Sequence, residues 1–200
     1  MAKRHEPRHK VSRRFGIDIY GTGGESLRRR LAVPPGGARR GRRRRSAYAV
    51  QLVEKQKAKA LYGVLERQFQ RYIAAALRQP GNASENLLRL LERRLDNVVY
   101  RLGFARTRPM ARQVVNHGHV RVNGSRVNIP SYLVRPGEMI ELDETAAHIP
   151  TVAEDLAADD RPLPGWLARD GTTGRVLRIP DRYDADARLD PEKIIAFYSR

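Results

Sequence analysis

The stretch HGHVRVNGSRV, residues 117 to 127, predicts a β-hairpin. Valines alternate with polar residues around Asn123-Gly124, and this dipeptide is the strongest short-range signal for a two-residue hairpin turn. Such a turn places Arg121 directly opposite Arg126. Like charges in that position destabilise a two-stranded ribbon by up to about 1 kcal/mol. We therefore expect an anion to bridge the two arginines, the alternative being that both side chains extend into water.

A short helix is predicted to lead into the hairpin. Thr107 is a suitable N-cap, Pro109 falls in the first turn, and Gly118 marks the end. The polar positions of this helix include Arg108 and Arg112. We expect these arginines to continue the basic face of the hairpin, because phosphate contacts commonly come from several elements that share one surface.

The two histidines of the hairpin region suggest metal binding or catalysis at first sight. His117 and His119 could bind a metal, but the sequence holds no cysteine and no neighbouring carboxylate to complete a ligand set. They could act in catalysis, but residues 104 to 137 contain no Asp, Glu or Cys to serve as a partner. We expect no metal and no catalysis here. The histidines are interpreted as contacts to phosphate or bases, or as polar surface residues.

The composition favours a polyanionic partner. The 200 residues include 39 Lys+Arg and 22 Asp+Glu, which gives a formal net charge of +17, and the sequence pI is about 11.0. Charge this large opposes compaction unless an anion neutralises it, so nucleic acid is the first hypothesis and an anionic membrane surface the lesser one. No apolar run approaches a membrane span, and no apolar segment follows the basic N-terminus. We expect a cytosolic protein without disulfides or cofactors.

The charge is concentrated towards the N-terminus. Residues 1 to 80 carry a net charge of +16, residues 81 to 142 carry +5, and residues 143 to 200 carry −4. Residues 1 to 45 have few large apolar side chains and cannot form a core alone. We predict a basic, extended segment here, which is either a free tail or a stretch that orders only against phosphate. Arginine forks on a glycine-rich backbone favour the second.

An α+β fold is predicted for the remainder. Residues 46 to 84 form a helical domain that begins at a Ser46 cap, has a break near Tyr62-Gly63, and is joined by a C-terminal helix at residues 190 to 200. Residues 85 to 189 form a module of two helices and a hairpin with a small mixed sheet and acidic loops. A single helix is expected there from Ser84 to Gly103, because its leucines repeat at helical spacing.

Several longer stretches of the chain resemble one known family. They are SAYAVQLVEKQK (46 to 57), LYGVLERQF (61 to 69), ENLLRLLERRLDNVVYRLGF (85 to 104), ARQVVNHGHVRVNGSRVNIPSY (111 to 132) and the terminal FYSR. In this order they are similar to the bacterial small-subunit ribosomal protein S-four family. The resemblance covers the chain from Ser46 onward. Many relatives have a four-cysteine zinc knuckle in the region of residues 1 to 45, and this cysteine-free chain is expected to lack the metal.

The resemblance implies a structural protein of the small (30S) ribosomal subunit. It implies a primary binder of 16S ribosomal RNA that nucleates assembly of the 5′ domain, contacts ribosomal protein S-five and other small-subunit proteins, and supports translational accuracy. It also implies that the arginines at 39 to 45 lie near the path by which messenger RNA enters.

Three further classes of protein could contain such a module. It is appended to pseudouridine synthases and a tyrosyl-tRNA synthetase, but this chain is too short and too basic for such a catalytic domain. A free RNA chaperone would lack the helices at residues 46 to 80 and at the C-terminus, and a protein-only scaffold would have no affinity for RNA. No enzyme activity, small-molecule substrate or membrane partner is expected.

The residues predicted to contact ribosomal RNA combine the basic segments with the RNA face that the resemblance implies for the module. They are Arg8, Arg13, Arg14, Arg39, Arg40, Arg42, Arg43, Arg44, Arg45, Tyr48, Gln51, Lys55, Lys57, Arg67, Arg71, Arg108, Arg112, Gln113, Asn116, His117, His119, Arg121, Asn123 and Arg126.

Overall fold

The structure, a computed structural model, describes residues 6–37, 46–158 and 162–199. The fold is α+β, as predicted. The chain divides into two compact units, one made of residues 1–84 with 188–200 and the other of residues 85–187. No helix in the described part of the chain has both the length and the apolar character that crossing a membrane requires.

The described elements follow the division into units, and the chain returns to the first unit only at its C-terminus. The helices that lie in or begin in the first unit are α1 (Arg8–Phe15), α2 (Glu25–Arg30), α3 (Ala47–Leu61), α4 (Glu66–Arg78), α5 (Ala83–Glu92) and α10 (Pro191–Tyr198). The other elements are α6 (Leu95–Arg101), α7 (Arg108–Asn116), β1 (Val120–Val122), β2 (Ser125–Arg126), β3 (Met139–Leu142), α8 (Glu144–Ala147), α9 (Pro150–Ala158), β4 (Leu167–Asp170) and β5 (Thr173–Val176).

Local capping chemistry sets the helix ends of the first unit. The Ser46 hydroxyl accepts a hydrogen bond from the Ala49 N–H at 3.2 Å, which confirms the predicted start of α3. The predicted break is confirmed at Gly63, whose φ of 62° lies in the left-handed region that glycine tolerates. Helix α10 packs on α3, as the apolar face of the C-terminal segment predicts.

The predicted extended form of the N-terminal segment is wrong for residues 6 to 37. Two short helices form there, and they bury Val11, Ile19 and Leu27. Polar groups close the turn between them: the Asp18 carboxylate accepts hydrogen bonds from three backbone N–H groups, and the Ser12 hydroxyl accepts one from the Ile19 N–H at 3.2 Å. A few apolar side chains and a hydrogen-bonded aspartate therefore order this segment.

A charged cluster around Glu66 links three helices of the first unit. The Glu66 carboxylate accepts hydrogen bonds from Lys55 at 3.0 Å, from Lys59, and from the Tyr198 hydroxyl of α10 at 2.8 Å. Burial alone would raise the pKa of Glu66, but these three hydrogen bonds outweigh it and lower the pKa from 4.5 to about 2. The carboxylate is therefore ionised at neutral pH and holds the three helices together as a charged group.

This depressed pKa predicts a loss of stability in acid. A carboxyl group with a lower pKa in the folded state stabilises the fold above its unfolded pKa of 4.5, and this contribution disappears as the pH falls towards 2. Thermal unfolding followed by circular dichroism should show a midpoint that falls over this window. The Glu66→Gln variant should lose part of that pH dependence. An unchanged pH profile in the variant would show that Glu66 does not stabilise the helix contact.

The second unit departs from its predicted helix pattern at Arg93-Arg94. The expected helix from Ser84 to Gly103 is two helices, because residues 93 to 96 bond to residues 130 to 134 instead of continuing the helix. Leu95 and Asp96 donate backbone hydrogen bonds to the carbonyls of residues 132 and 130 at 2.8 and 3.2 Å, and residue 134 donates to the Arg93 carbonyl at 2.9 Å. Ser84 lies inside α5, which begins at Ala83. The leucine stripe nevertheless contributes to the core, as predicted.

The described residues of the second unit form a sheet of five strands in the order β2-β1-β3-β5-β4. Every pairing is antiparallel, so the prediction of a mixed sheet is wrong. One face packs on the core, where the side chain of Leu102, the C-cap residue of α6, packs against Gly174. The sheet also carries Arg121, Arg126 and Arg175, all exposed. The hairpin is thus the β2 end of a sheet that packs on the core, and these three arginines stay on the surface of that sheet.

The contact between Leu102 and Gly174 generates a stability prediction. A methyl group at position 174 would overlap the Leu102 side chain, which is fully buried and packed among core residues. Gly174→Ala should lower the free energy of unfolding by about 1–3 kcal/mol in urea titrations. Gly165→Ala is the matched control, since among the described residues only an Arg178 side-chain nitrogen, at 4.0 Å, lies near that site. Equal midpoints for the two variants would contradict the packing described.

Candidate nucleic-acid interface

The hairpin has the predicted two-residue turn and register. Arg121 pairs with Arg126 across β1 and β2, and Asn123 has the positive φ of 49° that this turn requires. The Asn123 side-chain oxygen accepts a hydrogen bond from the Met139 N–H, and the Asn123 N–H donates to the Met139 carbonyl, both at 2.9 Å. The turn is therefore fastened to β3. Asn123 is exposed, and its contact with RNA stays a prediction.

The two opposed arginines are stabilised by the protein itself. The Arg126 guanidinium donates to the carbonyls of Gly118 at 2.8 Å and His117 at 2.9 Å, and the Arg121 guanidinium donates to Gly124 at 3.3 Å. On its other side Arg121 pairs in register with Glu141 of β3. Backbone carbonyls therefore hold each guanidinium group within the unit, so the opposed arginines do not need an anion between them to be stable. The expectation that an anion bridges them stays a prediction. Both arginines are nevertheless exposed.

Gly118 lets the helix end and the hairpin share Arg126. Its φ is +76°, and the Arg126 guanidinium lies where a side chain at position 118 would begin. Backbone carbonyls at a helix C-terminus lack helical hydrogen-bond partners and attract a cation. Arg126 binds the carbonyls of His117 and Gly118 just after α7 and is still exposed. This arrangement fixes the guanidinium before any partner arrives.

Helix α7 begins as predicted but distributes its arginines differently. The Thr107 hydroxyl accepts a hydrogen bond from the Met110 N–H at 3.3 Å, and Pro109 occupies the first turn. Arg108, however, is only 8% exposed. Its guanidinium stacks 4.5 Å from the centre of the Tyr100 ring, and its Nε donates to the Asn97 side-chain oxygen at 2.9 Å. The expectation that Arg108 lies on the surface facing RNA is wrong, because these partners hold it inside the unit.

Arg112, one turn further along α7, does reach the surface. Its side chain is 29% exposed and donates a hydrogen bond from Nη1 to the Asp96 carboxylate at 3.0 Å. Asp96 is 4% exposed and also accepts two hydrogen bonds from Arg94, which is fully buried. Gln113 is exposed and Asn116 is half-buried, with its side-chain oxygen away from any hydrogen-bond donor in the described residues.

The histidines differ in their surroundings. His117 is exposed, whereas His119 is half-buried with Nδ1 3.3 Å from the Asp143 carboxylate. Burial raises the pKa of Asp143, but a backbone hydrogen bond from Ala146 and the contact with His119 outweigh it and lower the pKa overall. His119 thus has a carboxylate partner that lies outside residues 104 to 137 in sequence. Asp143 also caps α8, so the pair has a structural role.

No group of three or more His, Cys, Asp or Glu side chains in the described ranges is arranged to hold a metal ion. The two imidazole rings have a centroid separation of 6.1 Å and a tilted orientation. The pair is therefore best described as polar surface adjoining Arg126, whose guanidinium binds the His117 carbonyl.

The first unit holds the other predicted contacts. Lys55 is only 7% exposed and binds Glu66, so the prediction that Lys55 is available at the surface is wrong. Lys57 binds Glu54 at 2.7 Å. Gln51 is half-buried. The exposed residues are Arg8, Arg14, Tyr48, Arg67 and Arg71, and the half-buried Arg13 donates to the carbonyls of residues 33 and 34. Arg39, Arg40, Arg42, Arg43, Arg44 and Arg45 lie outside the described residues.

Two further arginines lie close together in the second unit and were missed in the sequence. Burial, together with the neighbouring Arg135 guanidinium, lowers the pKa of Arg93. The Arg93 Nε donates to the Val134 carbonyl at 2.8 Å, and Arg135 is exposed. No local sequence signal brings them together, because they meet only through the bonding of residues 93–96 to residues 130–134.

Comparison with known proteins identifies the family. The chain is 45% identical over 207 residues to small ribosomal subunit protein uS4A of Symbiobacterium thermophilum, with the whole of both chains covered. The chain belongs to the ribosomal protein uS4 family. It is also 48% identical over 203 residues to uS4 of Mycobacterium sp. strain KMS and 46% identical to uS4 of Mycobacterium avium, again over the whole of each chain.

Two family models match the chain, and they meet at the break between α5 and α6. The model described as the ribosomal protein S4/S9 N-terminal domain matches residues 3–92, and the S4 domain model matches residues 93–140. As a uS4 family member, the chain is a structural protein of the small subunit that associates with ribosomal RNA in the cytoplasmic ribosome, and it is not an enzyme. The S4 domain match contains α6, α7 and the hairpin.

The contrast between buried and exposed arginines can be tested by substitution. Arg108→Met should lower the free energy of unfolding by about 1–3 kcal/mol, because it leaves the buried Asn97 side chain without its hydrogen-bond donor. Arg121→Met, at an exposed position, should change it by about 0.5 kcal/mol or less. Urea unfolding of both variants provides the measurement. A greater loss at position 121 would reverse the roles assigned to the two arginines.

Proposed function

We propose that this protein is a primary binder of 16S ribosomal RNA and nucleates assembly of the 5′ domain. The observation that supports this is the solvent-accessible basic surface of the second unit, formed by Arg112, Arg121 and Arg126 and called here the hairpin–helix surface. Each of its guanidinium groups donates a hydrogen bond to an acceptor within the same unit. Arginines fixed in this way lose little freedom on meeting phosphate.

A folded RNA is a better partner for this surface than a flexible one. Three fixed guanidinium groups on a helix and a hairpin form a rigid pattern, and recognition by shape requires a partner whose phosphates are also fixed. The exposed His117 adjoins Arg126 and adds a ring that can stack on a base or bind a phosphate. Exposed arginines on α1 and α4 supply additional cationic surface on the first unit.

Two finer roles complete the proposal. The family resemblance supports a contact with ribosomal protein S-five and a contribution to translational accuracy. It also supports a position of the arginines at 39 to 45 near the channel by which messenger RNA enters. Both belong to the assembled subunit, whereas binding of 16S ribosomal RNA is a property of the isolated protein and is tested first.

The test is binding of the protein to a fragment of the 16S 5′ domain. Affinity should exceed that for an unrelated structured RNA of equal length at the same salt concentration. The logarithm of the binding constant should fall by roughly 0.7–0.9 per phosphate contact for each tenfold rise in salt. Equal affinity for both RNAs would refute site-specific binding while leaving general RNA binding intact.

Charge reversal tests which surface binds. The variant Arg121→Glu/Arg126→Glu should bind the fragment more weakly by at least about tenfold, since two phosphate contacts become repulsive. Circular dichroism of the variant checks that the fold survives the loss of the Arg126 bonds to the Gly118 and His117 carbonyls. The matched control Arg182→Glu/Lys193→Glu has the same change in net charge at exposed residues of the C-terminal segment. Equal losses in the two variants would mean that net charge, and not the hairpin–helix surface, governs binding.

A further inference from the structure

The Asp96 carboxylate lies between two arginines inside the second unit. The Arg94 Nε donates to Oδ1 at 3.0 Å and its Nη2 contacts Oδ2, and the Arg112 Nη1 donates to Oδ2 at 3.0 Å. Side-chain exposure rises along the series, from 0% for Arg94 to 6% for Asp96 and 29% for Arg112. The three charges therefore form a row that begins in the core and ends at the surface.

The two arginines share the Asp96 carboxylate. The fully buried Arg94 guanidinium bonds to both oxygens of Asp96, so the single negative charge of Asp96 compensates Arg112 only in part. Arg112 is the member of the row that solvent reaches, and it keeps part of its positive charge available to a partner. Its guanidinium has five N–H donors, and within the described residues the only acceptor bonded to it is Asp96.

A phosphate would complete the row. A guanidinium offers a planar fork to phosphate oxygens, and the bond to Asp96 occupies one edge of Arg112 only. The sequence of charges would then run from Arg94 through Asp96 and Arg112 to the anion, with opposite signs at every step. Without Asp96, the Arg112 side chain would sample many rotamers and would lose that freedom on binding.

We propose that Asp96, supported by the buried Arg94, is a positioning residue that holds Arg112 ready for an RNA phosphate. This inference rests on the proposed function. A carboxylate near a phosphate site is repulsive by itself, and removing it raises the net charge of the protein by one, which favours RNA binding by general electrostatics. Positioning predicts the opposite result.

The first experiment is fragment binding by Asp96→Asn and Arg112→Ala. Asp96→Asn should weaken binding about five- to tenfold, despite the added positive charge, while the salt dependence keeps its slope because Arg112 remains. Arg112→Ala should weaken binding at least as much and should reduce the slope by roughly 0.7–0.9. Tighter binding by Asp96→Asn would overturn the inference.

The second experiment guards against a general loss of structure, since Asp96→Asn leaves Arg94 buried with a weaker partner. The double variant Arg94→Met/Asp96→Leu replaces the buried pair by apolar side chains and leaves the net charge unchanged. It should lose affinity when Arg112 is present and should lose nothing further in the Arg112→Ala background. Equal losses in both backgrounds would assign Arg94 and Asp96 a structural role only and would overturn the inference.

A third measurement needs no RNA. The Arg112 guanidinium should show restricted rotation about its Nε–Cζ bond in nuclear magnetic resonance spectra of the free protein, because its Nη1 is bonded to Asp96, and a rapidly rotating group would overturn the inference. If the unsubstituted protein failed to prefer the 5′-domain fragment, the proposed function would fall and this inference with it. Equal losses in both backgrounds would overturn the inference alone.

Discussion

Residues 93 to 96 exchange helical hydrogen bonds for bonds to residues 130 to 134, and the second unit depends on this exchange. The backbone N–H groups of Leu95 and Asp96 find acceptors in the segment that follows the hairpin, so both donors stay paired at the break. Helix α6 therefore starts as a separate helix. The start of α6 and the segment behind the hairpin are joined directly, and Arg94 pairs with Leu133 as an isolated bridge.

The break also gives the unit its buried ion pairs. Arg94 is the residue preceding α6, and its side chain turns inward to the Asp96 carboxylate two residues later. Glu92, at the end of α5, is fully buried and binds Arg101 and Asn97. Buried charges of this kind contribute little net stability compared with apolar residues, but removing one partner is costly. They favour one arrangement of α6 and α7, and that arrangement places Arg112 at the surface.

Local sequence signals predicted the elements that local chemistry controls. Ser46 and Thr107 cap helices where expected, and Asn123-Gly124 forms the two-residue turn that sets Arg121 against Arg126. The break at Arg93-Arg94 could not be predicted in this way, because the leucine repeat continues through it and the cause is a tertiary contact.

Burial of Lys55 and Arg108 was missed for a related reason. A basic residue on a helix is exposed unless partners from other segments enclose it, and those partners cannot be read from its immediate neighbours in sequence. Lys55 meets Glu66 of the next helix, and Arg108 meets Tyr100 and Asn97 of the preceding one. The partner of His119 lay 24 residues away, at the end of a neighbouring strand.

Chemical modification of arginines with and without RNA tests the division of roles most directly. Phenylglyoxal labelling of the free protein, quantified by mass spectrometry, should modify Arg112, Arg121 and Arg126 and leave the buried Arg94 and Arg108 largely unreacted. Binding of the 5′-domain fragment should then protect the first three and change the other two little. Continued labelling of Arg121 and Arg126 in the complex would contradict the claim that the hairpin–helix surface meets ribosomal RNA.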